Sequence, residues 1–155
     1  MSESQTVILG CSGKQLLPEE ASFYADHRPW GFILFARNIG EPDQIGDLVA
    51  ALRDSVKRPD APVFIDQEGG RVHRLRPPVA PNYPAGSAIG ALYRQDRQAG
   101  LRAARLLAPL HAFDLLRLGL NAGCPPLLDA PIGQRHPARA DRRRLLRPQA
   151  LRRDR

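Results

Sequence analysis

Apolar residues along this chain fall into two kinds of run. Some are short and unbroken: T-V-I-L at 6–9, W-G-F-I-L-F-A-R-N at 30–38 and A-P-V-F-I-D at 61–66. Unbroken apolar runs of this length, bounded by glycine or proline, predict strands buried on both faces. Between them the apolar spacing becomes helical. Pro18 opens P-E-E-A-S-F-Y-A-D-H, with a proline and two acids in its first turn. Glu41 and Pro42 begin a second helix, with Ile45, Leu48, Val49 and Leu52 on one face and Lys57 and Arg58 at its close, before Pro59. Residues 77–90, rich in proline and glycine, read as a long loop. Residues 91–118 are helical in pattern, with Pro109 predicted to break or kink them, and Gly119 suits the position just past a helix end. Residues 120–129, L-N-A-G-C-P-P-L-L-D, predict a fourth strand made irregular by its two prolines.

Doubly buried strands alternating with helices imply an α/β fold with a parallel sheet. Right-handed crossovers leave two architectures, an open doubly wound sheet or a (β/α) barrel. In both, ligand chemistry gathers where strands end. Those ends here carry Arg37 and Asn38, then Asp66 and Glu68, then Asp129, which reads as a turn-former before Pro131. No G-x-G-x-x-G follows the first strand, and G-C-S-G-K at 10–14 is the sole phosphate-loop candidate, without Walker spacing.

Charge changes the picture at one end only. The formal net charge of the 155 residues is +7. Residues 133–155 hold nine Arg and two Asp, so the whole excess sits there, while residues 1–132 balance fourteen basic against fourteen acidic side chains. The tail has no aromatic and no β-branched residue, so it cannot build a core, and its like charges favour solvation. It lacks stacking partners for bases, which argues against a nucleic-acid arm. Its composition is what an out-of-frame reading of a GC-rich gene produces. Cys11 and Cys124 form no metal-ligand spacing with histidines and read as buried free thiols of a reducing cytosol. No leader-like segment and no run long enough to span a bilayer is present in the sequence, so a cytoplasmic protein without membrane contact is expected.

The densest candidate chemistry is V-F-I-D-Q-E-G-G-R at 63–71. Asp66 falls where a parallel strand gives way to its loop. Gly69 and Gly70 let backbone approach a ligand closely and permit positive φ. A carboxylate there accepts hydrogen bonds from sugar hydroxyls, ligates a metal or serves acid/base chemistry; the bland alternative is that it fixes its own turn. Glu68 divides evenly between those roles, and Arg71 pairs with or orients a carboxylate. His73 reads as a surface or supporting residue, and His27, His111 and His136 have no partner spacing.

G-F-I-L-F-A-R-N, V-F-I-D-Q-E-G-G-R-V-H-R-L and L-G-L-N-A-G-C-P-P-L-L-D-A-P, in this order, together resemble bacterial β-N-acetylhexosaminidases of glycoside hydrolase family three. The resemblance runs from about Val7 to Pro131. It implies a (β/α)8 barrel, hydrolysis of terminal N-acetylglucosamine in cytosolic muropeptide recycling, and neither metal nor organic cofactor. It also implies that Asp66 binds sugar hydroxyls; from their place beside it, Glu68 and Arg71 stand as further candidate substrate-binding residues. The family's aspartate nucleophile, its acid/base histidine and its K-H-F-P-G-H-G segment have no counterpart in this sequence, so no catalytic residue is assigned. The expectation is an incomplete (β/α)8 TIM-type barrel of about the first four β/α units, residues 1–132, followed by a disordered or irregular basic tail, residues 133–155. Such a chain reads as a truncated, inactive fragment, with a weak sugar-binding half-barrel or a nucleic-acid binder acting through its tail as alternatives.

Overall fold

A computed structural model describes residues 4–124. Asp129, the end of the fourth predicted strand and the Arg-rich tail lie outside the described residues. The elements run β1 (Gln5–Leu9), α1 (Pro18–His27), β2 (Pro29–Leu34), a 3-10 turn (Ala36–Asn38), α2 (Pro42–Ser55), β3 (Val63–Ile65), β4 (Gln67–Gly69), β5 (Val72–His73), α3 (Gly86–Gln95), α4 (Arg97–Leu116) and β6 (Ala122–Gly123).

Four strands form a parallel sheet in the order β1-β2-β3-β6. Phe32 aligns with Val63 and Leu34 with Ile65, while Phe64 faces Ala122 across the next pair. The order follows the chain with no reversal. A doubly wound sheet reverses at a switch point, so this winding is that of a barrel wall. The expected α/β class and parallel sheet are therefore present.

The core lies between the sheet and α2. Phe32, Leu34, Val63 and Ile65 are fully buried, as are Ile45 and Leu52, and Leu48 and Val49 are nearly so. The helical spacing of the last four puts one apolar face of α2 on the sheet. Arg53 fastens this layer to later chain: its Nε donates to the Ala61 carbonyl at 3.1 Å and its Nη2 to the Gly119 carbonyl at 2.9 Å. Asn121 Oδ1 accepts from Val63 N–H at 2.8 Å and so holds β6 in register with β3.

Four sequence expectations need correcting. The first strand is not doubly buried: Thr6 and Ile8, which alternation puts on one face, are exposed, so among the described residues that face of β1 is left open. The second strand stops at Leu34, since residues 36–38 wind into a 3-10 turn whose Asn38 caps Phe35 N–H. The long loop is shorter than expected, because α3 begins at Gly86. Finally, the helical region divides at Asp96 rather than at Pro109. Asp96 caps α4 by accepting from Gln98 and Ala99 N–H, which starts a new helix there. Pro109 lies inside α4, where both it and Arg105, whose carbonyl it leaves unpaired, face solvent. An interior proline costs least on such an exposed face, where the freed carbonyl can reach solvent.

Candidate functional site

At the C-terminal edge of the sheet, four strand ends present side chains, and they do different work. After β1, the loop at 10–14 is tied down rather than open. Ser12 N–H donates to Glu20 Oε1 at 2.7 Å and Tyr24 Oη–H to the Gly10 carbonyl at 2.7 Å. A carboxylate thus sits on the amide a phosphate would need, which removes the phosphate-loop reading. After β2, Asn38 is fully buried and its Nδ2 donates to the Cys11 and Gly13 carbonyls at 3.2 and 2.6 Å. Arg37 Nε donates to the Cys11 carbonyl at 3.0 Å. Both residues brace the neighbouring loop. Cys11 is buried beside them, and burial followed by the Glu20 charge pushes its thiol up from the ordinary value.

After β3 comes Asp66, half-buried at the tip of a central strand. Its Oδ2 accepts from Arg74 Nη2 at 3.0 Å, and the two side chains are each 28% exposed. After β6 comes Cys124, whose N–H donates to the Ile65 carbonyl at 3.1 Å, so that its side chain stands next to Asp66. Burial, then the charge of Asp66 and the bond to its carboxylate, push the Cys124 thiol up. A protonated thiol there is a donor to Asp66 rather than a competing anion.

The residues after Asp66 fold into an antiparallel hairpin, β4 paired with β5, with Gln67 opposite His73 and Gly69 opposite Val72. Strand alternation sends Gln67 inward and Asp66 and Glu68 to the other side. Gln67 is buried and fully used: Oε1 accepts from Arg74 and Leu75 N–H at 2.9 and 3.0 Å, and Nε2 donates to the Leu75 carbonyl at 3.0 Å. It therefore fixes the backbone of Arg74, the residue that pairs with Asp66. The two glycines are required here. Gly69 has φ +85° and Gly70 φ +60°, and a Cβ on Gly69 would come within 2.3 Å of the Pro84 carbonyl oxygen. The close approach they permit is thus to the protein's own loop at 83–85.

Of the sequence candidates, Asp66 stands at the strand tip, with Glu68 half-buried and Arg71 exposed on the hairpin that follows it. Arg74 was missed, although R-V-H-R places it three residues beyond Arg71. Sequence spacing shows no reason to prefer it; the hairpin does, by folding it back over Asp66. His73 is buried, which removes the surface reading and leaves the supporting one; its ring lies 6.2 Å, centroid to centroid, from that of Tyr83. Among the described residues, no group of three or more His, Cys, Asp or Glu is placed to hold a metal ion, and no helix is long and apolar enough to cross a membrane.

Comparison with known proteins places this arrangement. No protein-family model matches the chain. The β-hexosaminidase of Xanthomonas axonopodis pv. citri (strain 306) is 35% identical over 129 residues, which is 83% of this chain and 38% of that protein. The β-hexosaminidase of Stenotrophomonas maltophilia (strain K279a) matches with the same identity and coverage. NagZ from Neisseria gonorrhoeae, solved in complex with N-trifluoroacetyl-D-glucosamine, superposes with a TM-score of 0.76 at 27% identity, over 82% of this chain and 37% of that one. The chain matches the N-terminal portion of a glycoside hydrolase family three β-N-acetylhexosaminidase. A family three β-N-acetylglucosaminidase from Paenibacillus sp. str. FPU-7 superposes at TM-score 0.67 and 30% identity, over 82% of this chain and 23% of that one. The parallel sheet is thus part of a TIM-type barrel wall, and the chain spans about 38% of the length of the hexosaminidases it matches. In such a wall the strand tips carrying Asp66 and Cys124 border the mouth where barrel chemistry takes place.

Proposed function

We propose that this chain carries the sugar-recognition part of a β-N-acetylhexosaminidase, a glycoside hydrolase acting on terminal N-acetylglucosamine of cell-wall muropeptides in the cytoplasm. Residues 1–132 form the barrel portion in this reading, and residues 133–155 a basic tail outside it. Asp66 accepts hydrogen bonds from hydroxyls of the terminal sugar, and Glu68 and Arg71 are further substrate contacts. The observation that carries the reading is the Asp66 carboxylate at a central strand tip, oriented by Arg74 at 3.0 Å, in a chain matched to hexosaminidases over 83% of its length. The N-trifluoroacetyl-D-glucosamine bound by the Neisseria neighbour supports a saccharide of that type.

Asp66 serves binding rather than bond cleavage. A retaining hydrolysis needs a nucleophile and an acid/base group placed on the two sides of the scissile bond. Asp66 is committed to Arg74, and no other residue of this sequence is assigned either role. The 155 residues alone therefore bind N-acetylglucosamine without turning over an N-acetylglucosaminide.

The test is titration of the 155-residue chain with N-acetylglucosamine, followed by amide NMR shifts, beside a chromogenic turnover assay. Asp66→Ala should weaken binding by roughly 10- to 100-fold, the worth of hydrogen bonds to a charged group. Silence of the wild-type spectrum at high sugar concentration, or equal shifts in Asp66→Ala, would remove the assignment. Turnover abolished by Asp66→Ala would overturn the reading of the 155 residues as inactive.

A further inference from the structure

Behind the hairpin lies a buried polar cluster that the sugar-site reading does not use. Its centre is Tyr83, which belongs to the loop between β5 and α3 yet is buried. Three parts of this one residue hold three different partners. Its carbonyl accepts from Gly70 N–H at 3.0 Å. Its hydroxyl donates to Asp114 Oδ2 on α4. Its ring lies 3.9 Å, centroid to centroid, from that of His111, also on α4.

Each partner is itself fixed. Asp114 is buried and its Oδ1 accepts from Arg117 Nε at 3.2 Å, and Arg117 Nη2 donates to the Val79 carbonyl, tying the same loop a second time. His111 bonds to the Gln67 backbone, and its Nε2 is buried without a partner, so the donor is Nδ1–H to the Gln67 carbonyl. Gln67 is the neighbour of Asp66. Helix α4 therefore grips the hairpin at both ends of β4, directly at Gln67 and through Tyr83 at Gly70. The turn cannot slip past its support, since the backbone of Pro84 fills the space beside Gly69.

We propose that Tyr83 is a positioning residue of the sugar site: it locks the glycine turn after Asp66 onto α4 and so fixes the direction of the Asp66 and Glu68 carboxylates. This rests on the reading of Asp66 as a sugar ligand. Removal of the hydroxyl leaves Asp114 a buried carboxylate with one donor fewer, and its attraction for Arg117 alone does not hold the loop at position 83. Burial and the bond to Asp114 push the Tyr83 phenol up to about 12, so it remains a donor at any pH at which the protein works.

The experiment uses the full 155-residue chain and two readouts, amide hydrogen exchange and N-acetylglucosamine titration. In Tyr83→Phe, exchange at Gly70 should quicken by roughly tenfold, the equivalent of one such hydrogen bond. Exchange at Phe32, whose N–H is bonded to the Pro62 carbonyl in the sheet, should stay unchanged. The sugar dissociation constant should rise by a similar factor. Asp114→Asn, which weakens the same acceptor at constant bulk, should give the same pattern at lower amplitude and decides the matter where Tyr83→Phe does not fold. Wild-type exchange at Gly70, equal acceleration at Gly70 and Phe32, or unchanged sugar affinity in a variant whose turn has loosened would each overturn the positioning role. A wild-type chain that ignores N-acetylglucosamine removes the sugar reading instead, and localised acceleration at Gly70 would then stand as evidence for the lock alone.

Discussion

Helices α2 and α4 both carry apolar residues at helical spacing and treat them in opposite ways. On α2, Ile45, Leu48, Val49 and Leu52 all pack on the sheet and are essentially inaccessible. On α4, Leu106 and Phe113 are 69% and 67% exposed, and Leu110 and Leu116 are also open. Periodicity marks a face able to pack; it does not say what stands opposite. Apart from Leu115, which packs against the core, helix α4 is held by polar contacts and by small residues. Gly100 allows α3 so close that a Cβ there would meet Tyr93 Cα at 2.4 Å, and Asp114, His111 and Arg117 supply the ties to the loop and hairpin. The sheet side is a hydrophobic core; the α3–α4 arm is a polar brace behind the proposed sugar site.

That contrast fixes the largest expected difference. Leu52→Ala removes a fully buried side chain from the α2 face and should cost about 2–5 kcal/mol, lost transfer energy plus the cavity left behind. Leu110→Ser removes an open side chain and should change stability by no more than about 0.5 kcal/mol. Urea unfolding followed by circular dichroism measures both. Comparable losses in the two variants would mean that the α4 stripe is buried in solution and that the two helices do not differ.

The same contrast explains what the sequence made legible. Strands β2 and β3 and helix α2 were readable because their apolar runs and their burial coincide. Asp66 was readable as a strand-end carboxylate, for the same reason. Arg37 and Asn38 were legible as strand-end groups but not as braces, because spacing cannot show that the Cys11 and Gly13 carbonyls of a distant loop take their hydrogen bonds. The hairpin of β4 and β5 was hidden by its glycines, which signal a turn but not a return strand. Arg74 and the cluster of Tyr83, His111 and Asp114 were illegible because their contacts join residues far apart along the chain, 31 positions for Tyr83 and Asp114, with no period to announce them. The division of α3 from α4 was carried by one side chain, Asp96, against the louder signal of Pro109.

A smaller effect tests the brace by pH. His73 and His111 both have values lowered from the ordinary histidine range. Burial is the first cause for each, joined at His73 by the charges of Arg76 and His111 and opposed at His111 by its bond to the Gln67 backbone and by Asp114. Both Nε2 atoms are buried without partners, so an added proton there finds no acceptor. The neutral rings are therefore the form the fold prefers. Their contribution is complete above the unfolded histidine value, about 6.5, and is lost as pH falls through the lowered folded values. The urea midpoint should drop between pH 7.5 and 5, and the two imidazole titrations followed by NMR should both centre below the ordinary value. A flat midpoint with titrations at or above that value would detach the histidines from the brace.

The most local effect belongs to the cap at the start of α4. Asp96 is exposed, and its Oδ1 accepts from Gln98 N–H at 2.8 Å and Ala99 N–H at 3.0 Å, bonds that hold its carboxyl below the ordinary range. Because the lowered value belongs to the folded helix, the cap is intact at neutral pH and weakens as pH falls through it. Asp96→Ala should free these two amides and fray the first turn of α4, with a loss of stability well below that of Leu52→Ala. Hydrogen exchange should quicken at Gln98 and Ala99 and stay as it was at Gly70, since the grip on the hairpin comes from the far end of the helix. Acceleration that spreads to Gly70 would show that α4 transmits its first turn to its last. The brace would then be one cooperative unit rather than a helix anchored at Asp114 and Arg117.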